Sequence, residues 1–178
     1  INKIVKPTLN ALKKDGYPYK GFLYVGLMIK NNEPYLIEYN VRMGDPECQA
    51  ILPRLKTDIM KIIISVTENS LKNLKIKWKE EKSMTIVLCS KGYPSNYRKN
   101  IPINNMDKLK LSKNKLVFHA GTSIKNKKIV SIGGRVLNFT CLGKNFKIIR
   151  KNIIKLIQKL NWKQGFFRKD IGWKVVKS

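Results

Sequence analysis

Glu38, Asn40 and Arg42 stand two residues apart at the end of the run Tyr35-Leu-Ile-Glu-Tyr-Asn-Val-Arg42, whose other residues are Tyr, Leu, Ile and Val. Aromatic and β-branched residues of this kind favour a largely buried strand, on which side chains two apart share a face. Neighbours on such a face lie about 6.5–7 Å apart. A carboxylate and an amide oxygen at that spacing are hard donors suited to Mg²⁺, one ion or a pair, held jointly with phosphate oxygens. Arg42 adds a planar fork for a phosphate or carboxylate just beyond them. The next residues, Gly44-Asp45-Pro46-Glu47, read as a turn into a helix, with Asp45 as N-cap, Pro46 at the first helical position and Glu47 in the first turn. Free N–H groups at such an end attract anions. The plain alternative is that the polar residues are a wet face and the aspartate only a cap.

These residues need a hairpin and helices to hold them. Residues 22–29 read as a buried strand and Asn31-Asn32-Glu33 as the turn into Tyr35, so the polar face lies on the second arm. Before it, Ile1, Ile4, Val5, Ala11 and Leu12 predict a helix ending at Asp15-Gly16, with Pro7 marking a kink or a late start. After it, residues 48–52 and 57–67 read as helices parted by Pro53, with Asp58 near the start of the second as a cap or a complement to its dipole. The stretch 69–82, polar and lysine-rich apart from Trp78, is the expected domain boundary.

Beyond that boundary, strands are expected over 83–90, 115–122, 129–132 and 135–142. Gly92-Tyr93-Pro94 breaks the first, 96–113 reads as loop, and 125–128 as a hairpin turn. Gly133-Gly134 has no following helix and reads as a tight turn, not a phosphate loop. Phe146, Ile149, Ile153, Ile154 and Ile157 mark an amphipathic helix over 145–160, and the aromatic tail 162–176 is expected to pack back on the sheet. The lone His119 reads as a hydrogen-bonded core residue, not a catalyst.

Composition narrows the classes. The chain has 178 residues, room for one domain with a core or two small ones. No apolar run is long enough to span a membrane, and the polar, basic first residues predict no signal peptide. Ile1 in place of a methionine suggests a processed product or a fragment. Three cysteines without metal-type spacing, Cys48, Cys89 and Cys141, point to a reducing, cytoplasmic setting and are expected to be small buried residues. The net charge of +26 raises the alternative of a basic nucleic-acid-binding module without catalysis. Lysine outnumbers arginine about five to one and is spread along the chain, and isoleucine and asparagine are also over-used. All three have A/T-rich codons, so base bias accounts for the composition and no dedicated nucleic-acid surface is expected.

Taken together, the motifs resemble the C-terminal portion of the phosphoribosylamine–glycine ligase (glycinamide ribonucleotide synthetase) family of ATP-grasp enzymes. The resemblance runs the full length. It is carried by Gly21-Phe22-Leu23-Tyr24-Val25-Gly26-Leu27-Met28, by the run from Glu38 through Arg42, Gly44, Asp45, Pro46 and Glu47 to Gln49, and by Leu52-Pro53 and Asp58. Gly92-Tyr93-Pro94, Tyr97, Val117 to Thr122, Gly133 to Leu137 and Arg168 to Trp173 continue it. The resemblance implies an α/β (α+β) fold: residues 1–80 as the C-terminal part of an ATP-grasp lobe, an antiparallel sheet with helices, and 81–178 as a small mixed α+β domain. It implies ligation of glycine to 5-phosphoribosylamine through glycyl phosphate, with ATP as co-substrate, small-molecule partners only, and a monomer. Glu38 and Asn40 would hold Mg²⁺ or Mn²⁺ against the ATP phosphates. Arg42 would bind a phosphate, acyl phosphate or ribose phosphate, with Gly44 and Asp45 shaping the turn against substrate; Arg42 and Asp45 are the expected catalytic residues. A third metal carboxylate of many ATP-grasp relatives falls near Gly26, as in this family. Lys91 and Asn100 stand where the family usually has glycine, which puts loop geometry in question. The substrate domain, the adenine pocket and the phosphate-contacting lysines are not in these residues, so the chain alone is expected to be inactive.

Overall fold

The apolar period of the first residues becomes helix α1 (Val5–Lys14). Pro7 lies in its first turn, where a missing N–H costs nothing, so the helix starts late and does not kink. Two antiparallel strands follow, β1 (Tyr24–Lys30) and β2 (Glu33–Asn40). Asn31 and Asn32 between them have φ of 52° and 61°. This is a two-residue left-handed turn, which matches strand twist and which asparagine tolerates. An ion pair between Lys3 and Glu33 and a hydroxyl contact between Thr8 and Tyr39 tie the first helical segment to β2. Helix α2 (Glu47–Ile51) runs into one 3₁₀ turn (Leu52–Arg54), as Pro53 dictates. Helix α3 (Ile59–Thr67) is capped by Asp58, whose Oδ1 accepts the Met60 N–H at 2.8 Å.

The computed structural model describes residues 1–177. The chain forms two compact units that interleave in sequence: Ile1–Asp45 with Lys56–Lys77, and Pro46–Leu55 with the chain from Trp78 onward. Within the first unit, Ile62 is the one buried apolar side chain among the described residues. The strands expected to be buried are not: Ile29, Ile37 and Val41 are 59%, 64% and 74% exposed. β-Propensity identifies the strands correctly but says nothing of what covers them, and among the described residues β1 and β2 pair only with each other.

The second unit carries the core. Strands β3 (Lys82–Ser90), β4 (Ile101–Pro102), β5 (Lys115–His119), β6 (Thr122–Lys125), β7 (Lys128–Ser131) and β8 (Arg135–Gly143) precede helix α4 (Phe146–Leu160). Strand β9 (Gly165–Phe166) and helix α5 (Trp173–Lys177) complete it. One antiparallel sheet has the order β5-β8-β3-β9, the other β4-β7-β6. Met84, Ile86 and Leu88 on β3 alternate onto one face with Leu137, Phe139 and Cys141 on β8, and α4 buries Ile149, Ile153, Leu156, Ile157 and Leu160 in the same core. Asn145 caps α4, accepting from Lys147 N–H at 2.8 Å and Ile148 N–H at 3.2 Å. On the other face Thr85 and Thr140 share a hydroxyl hydrogen bond of 2.7 Å, and α2 packs against β3 and β8.

Several expectations need correction here. The single strand expected over 115–122 breaks at Ala120-Gly121, and the chain passes into the second sheet. A Cβ on Gly121 would stand 2.6 Å from both the Arg135 carbonyl and Gly133 Cα, so only glycine lets these backbones cross. The loop 96–113 supplies β4 and buries Ile103 and Leu109 in the unit. Of the three cysteines only Cys141 is buried; Cys48 and Cys89 are half-buried. His119 is exposed, its Nδ1 2.9 Å from Thr122 Oγ1, because β5 ends there. The tail does pack back: β9 pairs with β3, and Arg150 Nε donates to the Ile171 carbonyl at 2.9 Å. Asn100 has φ of 59°, so the left-handed geometry a glycine would supply is kept by the next most tolerant residue. Lys91 needs no such backbone and donates its N–H to the Gln164 carbonyl at 2.8 Å.

Candidate metal and phosphate site

Glu38 and Asn40 lie on β2 with unbroken alternation between them, so they share a face. Their cross-strand partners are Gly26 and Tyr24. A bulge falls just before Glu38: Gly26 pairs with Glu38 and Leu27 with Leu36, which leaves Ile37 without a partner. Such bulges add twist and re-aim the side chains beside them. Glu38 is exposed and Asn40 half-buried.

The strand stops at Asn40, because β1 begins at its partner Tyr24. The expected alternation therefore does not carry through to Arg42, which lies in a bend, exposed, with Nη1 donating to the Met43 carbonyl at 2.8 Å. Gly44 is buried and Asp45 half-buried in the following turn. Asp45 is not the N-cap. Pro46 holds that position with φ −101°, and α2 begins one residue later than expected, at Glu47. At five residues α2 is barely more than one turn, too short to add much dipole for an anion.

Among the described residues no three His, Cys, Asp or Glu side chains cluster as a metal site. Glu38 and Asn40 fit a different kind of site, in which Mg²⁺ or Mn²⁺ takes one or two protein oxygens and completes its shell with water and phosphate. Gly26 is consistent with this. A Cβ there would lie 3.0 Å from Glu38 Cγ, so the absence of a side chain leaves the carboxylate room.

Sequence reasoning did not foresee a cavity of about 340 Å³ within the second unit, lined by Pro46, Thr85, Val87, Cys89, Phe166 and Arg168 among others. The signal was present: Thr85, Val87 and Cys89 are the β3 positions that alternate away from the core. At one side Arg168 Nη2 donates to Asp170 Oδ2 at 2.7 Å, and this hydrogen bond holds the Asp170 carboxyl below the usual range.

Residues 83–174, just over half of the chain, match the family model described as phosphoribosylglycinamide synthetase, C domain. The chain belongs to the phosphoribosylglycinamide synthetase family. Residues 1–48 match that family's ATP-grasp (A) domain. The chain is 43% identical over 176 residues to the phosphoribosylamine–glycine ligase of Agrobacterium fabrum, covering 99% of this chain and 41% of that protein. It is 46% identical over 170 residues to that of Caldanaerobacter subterraneus, covering 96% and 40%. The solved structure of the Thermotoga maritima phosphoribosylamine–glycine ligase superposes with a TM-score of 0.71 at 32% identity, covering 92% of this chain and 40% of that one. The synthetase-family chain described here thus spans about two fifths of the length of these relatives. Its mixed α/β architecture, with antiparallel sheets and helices, agrees with the fold expected from the sequence.

Proposed function

We propose that this chain is the metal- and phosphate-facing portion of a ligase that joins glycine to 5-phosphoribosylamine at the expense of ATP, in de novo purine biosynthesis. The observation that carries this is one face of β2, where a carboxylate and an amide stand two residues apart beside a side-chain-free Gly26, in a chain of this family. Residues 1–80 would belong to the ATP-grasp lobe and 81–178 to the C-terminal domain. Glu38 and Asn40 would hold Mg²⁺ or Mn²⁺, which supplies charge neutralisation during phosphoryl transfer.

The remaining roles fall to this chain's own groups. ATP phosphorylates the glycine carboxylate, giving glycyl phosphate and ADP. The phosphoribosylamine nitrogen attacks the acyl carbon, and phosphate leaves with glycinamide ribonucleotide as the product. Arg42, exposed beyond the strand end, can trade its contact with the Met43 carbonyl for the oxygens of the transferred phosphoryl group. Gly44 and Asp45 shape the turn that fixes Arg42 relative to the carboxylate. The adenine-binding portion lies outside these residues, so the chain by itself is inactive, and the working protein is a cytoplasmic monomer. A nucleic-acid module without catalysis does not account for the family match.

A coupled assay on a family-length protein carrying this sequence tests the reading. ADP release should require glycine and phosphoribosylamine together. Release that is indifferent to either substrate would overturn it.

A further inference from the structure

Acidic residues are unevenly placed along the chain. Residues 79–178 hold 24 Lys or Arg against 4 Asp or Glu, whereas residues 1–78 hold 13 against 7. Between Asp107 and Asp170 there is no acidic residue at all, and 17 basic ones. A base bias that favours lysine acts over the whole chain and does not empty one stretch of acids.

Helix α4 lies within that stretch. Lys147, Lys151, Lys155 and Lys159 are all exposed on it, four residues apart. With a rise of 1.5 Å per residue this makes a gently winding row with a charge about every 6 Å, about 18 Å long. The helix has no acidic side chain to pair with them. We infer that this row is a docking surface for a nucleic-acid backbone, bound without sequence preference. The charge and its spacing complement a phosphate chain. Lysine is a point charge without the planar fork that reads base edges, so the contacts position without specifying. A membrane surface fits less well. The apolar side of the helix, Ile149, Ile153, Leu156, Ile157 and Leu160, is buried in the core, which leaves Ile148 alone among its exposed large apolar side chains, too little to anchor the helix in a bilayer.

The test is binding of the whole chain to a short labelled DNA duplex, by fluorescence anisotropy over a salt series. The comparison is between two variants of equal net charge. One carries Lys147→Gln, Lys151→Gln, Lys155→Gln and Lys159→Gln; the other carries Lys6→Gln, Lys13→Gln, Lys14→Gln and Lys20→Gln. Glutamine keeps helix propensity, and circular dichroism checks the fold. The α4 variant should lose about 3–4 from the slope of log affinity against log salt, and about tenfold or more in affinity near physiological salt. The α1-region variant should lose much less. Equal losses would mean that net charge alone binds, and an unchanged α4 variant would place binding elsewhere; either overturns the inference. So would sedimentation with phosphatidylserine vesicles at protein concentrations where the duplex is not bound.

Discussion

Glycine at position 26 is the smallest feature of the candidate site and one of the most telling. Its Cβ, if present, would press on Glu38 Cγ at 3.0 Å, so a larger residue must displace the carboxylate. Gly26→Val should leave the hairpin intact, since valine favours strands. In a family-length protein it should lower ADP release about tenfold and raise the metal concentration needed, as a metal titration of the rate would show. Cys141 makes a second residue-scale prediction. Burial pushes its thiol up to about 11 from 9.0. The fold therefore favours the protonated thiol. That contribution is fully present below pH 9 and is lost as pH rises towards 11. Cys141→Val removes the thiol, so the melting temperature of the variant should fall less than that of the parent between these pH values. Parallel curves would contradict it.

At the scale of elements, what the sequence made legible depended on whether the cause was local. The Asn31-Asn32 turn and the α4 stripe are local chemistry and were readable, whereas Asp58 was legible only as a cap or a dipole partner and Pro7 only as a kink or a late start, and the fold selects the cap and the late start. Burial of β1 and β2 was not readable, because it depends on neighbours that propensity does not register. The break at Gly121 was missed because its cause is a backbone crossing with Gly133 and Arg135, which no window around residue 121 contains. The polar face was legible as far as Asn40 and failed at Arg42, where the partner strand gives out. The start of α2 was missed by one residue, since Asp45 and Pro46 are both good flanking residues and the choice between them is tertiary. The Asn145 cap is a direct check on this scale. Asn145→Ala removes the acceptor for two N–H groups and should cost about 1 kcal/mol, read by denaturant titration of the chain. No change in midpoint would show that the cap is not used.

For the whole molecule, charge is the dominant global term. At +26 the chain repels itself, and two of its ion pairs, Lys3–Glu33 and Arg168–Asp170, are exposed. Salt should screen the repulsion and cost little in lost pairs. The melting temperature should therefore rise as sodium chloride is added from low to physiological concentration. A fall would mean that unrecognised attractive pairs outweigh the repulsion. The division into two units also bears on stability, because the buried apolar side chains lie almost entirely in the second.

Glu38 is the side chain on which the metal role depends. In a family-length protein carrying this sequence, Glu38→Gln keeps the size and the strand but removes the negative charge offered to a divalent cation. Turnover measured by ADP release should drop by about a hundredfold or more, with the melting temperature unchanged. Turnover close to that of the parent at the same magnesium concentration would contradict it.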